Sequence, residues 1–112
     1  KPTIIIDAGH GGYDNGASYN GRKEKDDNLR LALAVGSQLE KDGYPVVYTR
    51  TTDVYQRPID KARIANESGG DYFVSFHRNS GENPNTEAHT TPVSVLKEVP
   101  SKALQFFPFS SF

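Results

Sequence analysis

The chain alternates short β-branched runs with stretches whose apolar residues recur at helical spacing. Thr3-Ile4-Ile5-Ile6-Asp7 is continuous and apolar and runs into a glycine-rich turn, as expected of a strand buried on both faces. Ala8 to Gly21 is rich in Gly, Asn and Ser and reads as a long loop; in a small domain such a loop is often functional. Asp26-Asp27-Asn28 offers a helix cap, after which Leu29, Ala32, Leu33, Gly36 and Leu39 recur at helical spacing until Gly43 ends the helix. Pro45 to Thr49 predicts a second strand. Arg57 to Glu67 predicts a second helix, with Pro58 in its first turn and Gly69-Gly70 behind it. Tyr72 to Phe76 predicts a third strand, and Val93 to Val99 a further one.

Strand, helix, strand, helix, strand is the grammar of an α/β fold: a mostly parallel central sheet flanked by helices. Beyond Phe76 the character changes. Ser80 to Pro92 is polar, and the last residues carry Phe106, Phe107, Phe109 and Phe112. A parallel sheet needs both faces covered, so this tail is expected to pack onto the core.

A length of 112 residues fits one domain, which buries about two-thirds of its unfolded surface. Thirteen basic against 14 acidic residues, with no long basic run, argue against a nucleic-acid partner and against a polybasic membrane anchor. No stretch approaches the ~20 apolar residues of a membrane span. The chain has no cysteine, so disulfides, thiolate zinc sites and cysteine nucleophiles are excluded. It opens on Lys1 rather than Met, which suggests a processed form or an excised domain.

His10 directly follows the first strand and His77 the third. Active sites of open parallel sheets lie off the carboxyl ends of the strands, so both histidines project toward one edge. Glu24, at the end of the long loop, belongs to the same edge. Two imidazoles and a carboxylate make a zinc set with an open fourth position; zinc there acidifies a water and polarises a carbonyl. Taken singly, a histidine is more often a surface or core residue, and an acid before a helix is usually solvated. The coincidence of two histidines at strand ends points to metal. The glycine-rich turn could hold phosphate, but no Lys-Ser/Thr follows it as a P-loop requires.

Ile5-Ile6-Asp7-Ala8-Gly9-His10-Gly11-Gly12-Tyr13-Asp14-Asn15-Gly16-Ala17 resembles the opening motif of the N-acetylmuramoyl-L-alanine amidase family called amidase_3. Asn20-Gly21-Arg22-Lys23-Glu24-Lys25-Asp26 resembles its second motif, Tyr48 to Asp53 the stretch after its second strand, and Ala65-Asn66 with Asp71 to Ser80 the block of its second zinc histidine. The resemblance runs from residue 3 to about 83. It implies a zinc cofactor held by His10, Glu24 and His77, and hydrolysis of the amide between N-acetylmuramic acid and L-alanine. Peptidoglycan is then the partner, a monomer is expected, and the protein acts outside the cell or at the wall, as autolysin or phage lysin.

The chain departs from the family pattern at three places. Ala8 stands where Pro is frequent. Arg78 stands where a small residue is commoner, and is expected to face solvent. The family domain is also longer, so residues 1–83 read as the catalytic core and 84–112 as a divergent or shortened C-terminal segment. Pro92 to Val99 weakly echoes the family's last motif, one residue out of step; the echo implies Glu98 as general base, against an exposed edge-strand charge. Glu87 and His89 are substitutes that no spacing favours. Asp7 and Asp14 are candidates for orienting a histidine, although for Asp14 a turn role is preferred. Two alternatives remain: an inactive zinc-binding remnant or cell-wall-binding module, and another zinc peptidase or deacetylase.

Overall fold

The computed structural model describes residues 1–78 and the strand 93–96. Along the chain run β1 (Ile4–Ala8), β2 (Ser18–Tyr19), β3 (Arg22–Lys23), α1 (Glu24–Lys41), β4 (Val46–Tyr48), α2 (Pro58–Ser68), β5 (Tyr72–Phe76) and β6 (Val93–Leu96). The main sheet has the order β4-β1-β5-β6. β1 lies parallel to both β4 and β5, whereas β6 is antiparallel to β5. The expected α/β core with a mostly parallel sheet is therefore present. Of the predicted strand Val93 to Val99, β6 covers Val93–Leu96, and the rest lies outside the described residues.

Side chains alternate across β1 and its neighbours. Ile4, Ile6 and Ala8, with Tyr72, Val74 and Phe76 in register beside them, face α1 and pack with Ala32, Leu29, Val35 and Leu39. At Gly36 the helix lies tight against Tyr48 of β4: a Cβ there would enter the Tyr48 ring. Ile5, Asp7, Phe73 and Ser75 occupy the opposite face. α2 reaches that face through Lys61, which pairs with Asp7, and a Cβ on Gly70 behind α2 would strike Ile5. The two helices thus cover the two faces. The phenylalanine tail lies outside the described residues.

Ile5 has no exposed surface. Ile5→Ala is expected to cost about 2–5 kcal/mol, a large part of the about 5–15 kcal/mol that holds a domain together. Urea denaturation checks this, and a midpoint within error of the parent would contradict the packing described.

One boundary differs from the sequence expectation. The helix starts at Glu24, ahead of the Asp26-Asp27-Asn28 cap, and Lys23 at the cap position makes no side-chain bond to it. The first helical amides are satisfied by the preceding loop: Glu24 N–H donates to the Ala17 carbonyl (2.8 Å) and Lys25 N–H to that of Asn15 (3.1 Å). A backbone acceptor replaces a capping side chain, which frees Asp27 and Asn28 for other partners.

Candidate metal centre

From β1 the chain crosses to β4 on one side and then returns to β5 on the other. The crevice beyond the ends of β1 and β5 is therefore a topological switch point, where open α/β sheets build their sites. The ladder continues one step past the strands, with Gly9 N–H donating to the Phe76 carbonyl at 3.0 Å. Gly9 has to be glycine because a Cβ there would collide with the His77 imidazole.

His10 and His77 leave the two strand ends with their rings 5.2 Å apart between centroids and nearly perpendicular, at 80°. Glu24, the first residue of α1, enters between them: its Oε2 is 3.2 Å from His10 Nε2 and 3.5 Å from His77 Nδ1. Ligand atoms of these three residues all lie within 4.8 Å of one another. The structure brings together the three residues singled out in the sequence. Glu98, together with Glu87 and His89, lies outside the described residues.

His10 sits in the left-handed region, with φ of 65°. Non-glycine residues adopt it rarely, and mostly where the surroundings impose it. Here the constraint is the reciprocal pair of backbone bonds between Gly11 and Asp14 (2.9 and 3.0 Å). The turn brings Asp14 Oδ2 to 2.8 Å from His10 Nδ1. This corrects the sequence reading twice: Asp14 orients a histidine, and Asp7 does not. Asp7 points away from the crevice, where Thr49 Oγ1 (2.7 Å) and Ser75 Oγ (2.6 Å) donate to it and Lys61 Nζ lies at 3.0 Å. Strand alternation is the reason, since Asp7 is an odd step from Ala8 and shares the face of Ile5.

The donor set suits a cation. Burial would raise the Glu24 pKa, but the His10 and His77 imidazoles, the Ala17 amide and Asn28 outweigh it and hold the carboxyl far below the ordinary range. His10 is raised: its bond to Glu24 outweighs burial, and Asp14 adds to the effect. The crevice is thus a fixed anionic pocket that draws either a proton onto His10 or a metal ion. With Asp14 accepting from Nδ1–H, His10 presents the Nε2 lone pair to the pocket, the carboxylate–histidine pairing characteristic of zinc sites. Two imidazole nitrogens and one carboxylate fit zinc with a position left for substrate.

Asp14→Asn is expected to weaken zinc binding about 10-fold while leaving the fold intact, because Asp14 is partly exposed. Competition against a chromogenic chelator measures it; unchanged affinity would remove Asp14 from this role.

Several supporting residues escaped the sequence reading. Asn28 is fully buried and donates to both the Gly9 carbonyl (3.2 Å) and Glu24 Oε2 (3.1 Å). Arg50 is buried and donates to the carbonyls of Ala8, Gly9, Lys25 and Thr52. Lys25 Nζ bonds the Gly12 carbonyl and Asp53 (both 2.8 Å), and Asp53 in turn accepts from Gly12 N–H. Together they hold the loop that carries His10. Arg78, expected in solvent, is 6% exposed: its guanidinium bonds Asp27, and its backbone N–H donates to Glu24 Oε2 at 3.0 Å. The buried Asp27 carboxylate, freed from capping, draws it inward.

The pattern of the N-acetylmuramoyl-L-alanine amidases, Amidase_3, matches residues 4–103. The sporulation-specific N-acetylmuramoyl-L-alanine amidase of Bacillus subtilis is 42% identical over 91 residues, covering 80% of this chain and 36% of the relative. The endolysin of Bacillus phage SPP1 is 47% identical over 78 residues, covering 69% and 29%. The crystal structure of the N-acetylmuramoyl-L-alanine amidase from Clostridium difficile 630 superimposes with a TM-score of 0.70 at 42% identity, over 76% of this chain and 47% of that one. The chain spans about a third of the length of these curated relatives. With a family match over most of its length and the histidine–glutamate–histidine cluster at its strand ends, the chain belongs to the N-acetylmuramoyl-L-alanine amidase family Amidase_3.

Proposed function

We propose that this chain is a zinc-dependent hydrolase of the amide between N-acetylmuramic acid and L-alanine in peptidoglycan. The observation that carries the reading is the convergence of His10, Glu24 and His77 at the carboxyl ends of β1 and β5 in a chain of this family. These three residues would hold the ion; zinc, when bound, supplies a Lewis acid for the amide carbonyl and a water acidified toward neutral pH. Asp14 keeps the proton of His10 on Nδ1. The Ala17 amide, Asn28 and the Arg78 amide keep the Glu24 carboxylate from swinging out of the crevice. Glu98, the acid implied by the resemblance, is the proposed general base, taking a proton from the attacking water and handing it to the leaving amine. The protein would act as a monomer at the cell wall, outside the cytoplasm, in keeping with an endolysin among its relatives. Among the described residues no helix is long and apolar enough to cross a membrane.

Digestion of purified wall tests the reading. The expected result is new N-terminal L-alanine without new reducing sugar ends, stopped by a chelator and restored by zinc. Zinc-loaded protein that frees no alanine would favour an inactive wall-binding module. Release of acetate or of internal peptide termini would favour another zinc hydrolase. A Glu98→Gln variant with full turnover would exclude Glu98 as base.

A further inference from the structure

We propose that Arg78 is a positioning residue that sets the spacing between the carboxylate and the second imidazole of the cluster, by clamping the end of β5 onto the first turn of α1. The inference rests on the reading of His10, Glu24 and His77 as metal ligands. β5 ends at Phe76, which pairs with Ala8 and Val93 and whose carbonyl accepts from the Gly9 amide. His77 therefore stands beyond the ladder, and its place depends on how the next residue is anchored. That residue, Arg78, bonds three residues on two segments at once. One guanidinium nitrogen donates to Asp27 Oδ2. The other donates to the Ala17 carbonyl at 3.3 Å, on the loop that caps α1. The backbone N–H donates to Glu24 Oε2 at 3.0 Å.

Asp27 lies three residues after Glu24 on the same helix, hence on the same face. Helix and strand end are thus joined by two parallel rungs: Asp27 to Arg78, and Glu24 to the imidazoles. The first rung needs no metal, so it holds the second at ligand spacing before an ion arrives. A planar fork is suited to this because it fixes direction as well as distance. Asp27 also accepts from Arg22 (2.9 Å) and Arg30 (3.3 Å), both largely exposed. Loss of the Arg78 side chain therefore leaves Asp27 paired through Oδ1 but takes the partner of Oδ2; the strand end then keeps only its backbone bond to Glu24.

The test is zinc affinity of the full chain, by competition with a chelator, alongside thermal melting of the metal-free protein. Cobalt absorption serves as a probe of ligand geometry. Arg78→Ala is expected to bind zinc about 10–100-fold more weakly, with an altered cobalt spectrum. Arg78→Lys, which keeps the charge and loses the fork, is expected to fall between. Asp27→Asn combined with Arg78→Ala is expected to be no worse than Arg78→Ala alone, since both break one rung. Zinc affinity within threefold of the parent in both Arg78 variants, whatever their melting temperatures, overturns the proposal. Should Arg78→Ala not fold, Arg78→Lys and Asp27→Asn decide by the same criterion. A parent protein that binds no zinc would instead overturn the metal reading itself.

Discussion

Glu24→Gln is expected to abolish tight zinc binding and, with it, the proposed hydrolysis of wall. The substitution keeps volume and removes charge. Glu24 is 3% exposed and is the carboxylate that both imidazoles face. Its Oε1 accepts from the Ala17 amide, a bond that glutamine can keep. Its Oε2 accepts from Asn28 Nδ2 and from the Arg78 amide. A glutamine NH2 there accepts from neither, so both donors lose that bond, at about 1–3 kcal/mol each. The loss should exceed the about 10–100-fold typical of a residue that merely supports a ligand. The clearest readout is the melting temperature with and without zinc. An ion at 100 times its Kd stabilises by about 2.7 kcal/mol, so the parent gains several degrees and the variant none. A variant that gains as much as the parent would show that the carboxylate holds no ion.

The second large effect falls on the opposite face of the sheet. Asp7→Ala is expected to cost about 3–5 kcal/mol, because it leaves the buried Lys61 ammonium without its partner and takes the acceptor from the Thr49 and Ser75 hydroxyls. The double variant Asp7→Ala with Lys61→Met should recover much of this, since removing both charges leaves none stranded. pH adds a signature. Burial pushes the Asp7 pKa up, but Lys61 and the two hydroxyls outweigh it and the net shift is down. A carboxyl depressed in the folded state contributes fully above its unfolded pKa of about 3.9. It loses that contribution as pH falls through the folded value. The stability gap between parent and Asp7→Asn should thus be constant from pH 7 to about 5 and narrow only below about 4. A gap already closing near neutrality would mean that the carboxyl is not held in this way.

The elements were legible in the sequence because their signals are local. Ile4-Ile5-Ile6 and Tyr72 to Phe76 are apolar runs bounded by turn residues, and the spacing of Leu29, Ala32, Gly36 and Leu39 fixes a helical face. His10 and His77 could be placed because strand ends of a parallel sheet share an edge. The supporting network was not legible, since its partners are distant in sequence. Asp27 and Arg78 are 51 residues apart, and Arg50 is 41 from Gly9, separations that no local pattern encodes. Nothing near Asp26-Asp27-Asn28 distinguishes a cap from a buried clamp and a buried amide. Asp14 was read as a turn residue because its role depends on the left-handed backbone at His10, and a lone φ leaves little trace in composition.

The loop that caps α1 ties the start of that helix to the crevice. Because the carbonyls of Asn15 and Ala17 take the place of a capping side chain, the opening coil of that helix is secured only once residues 15–17 have settled over it. Glu24 and the turn carrying His10 therefore depend on one shared set of loop bonds. The amide protons of Glu24 and Lys25 are accordingly expected to exchange with solvent at the pace of the loop's lifting, which makes them a spectroscopic report on the closed crevice.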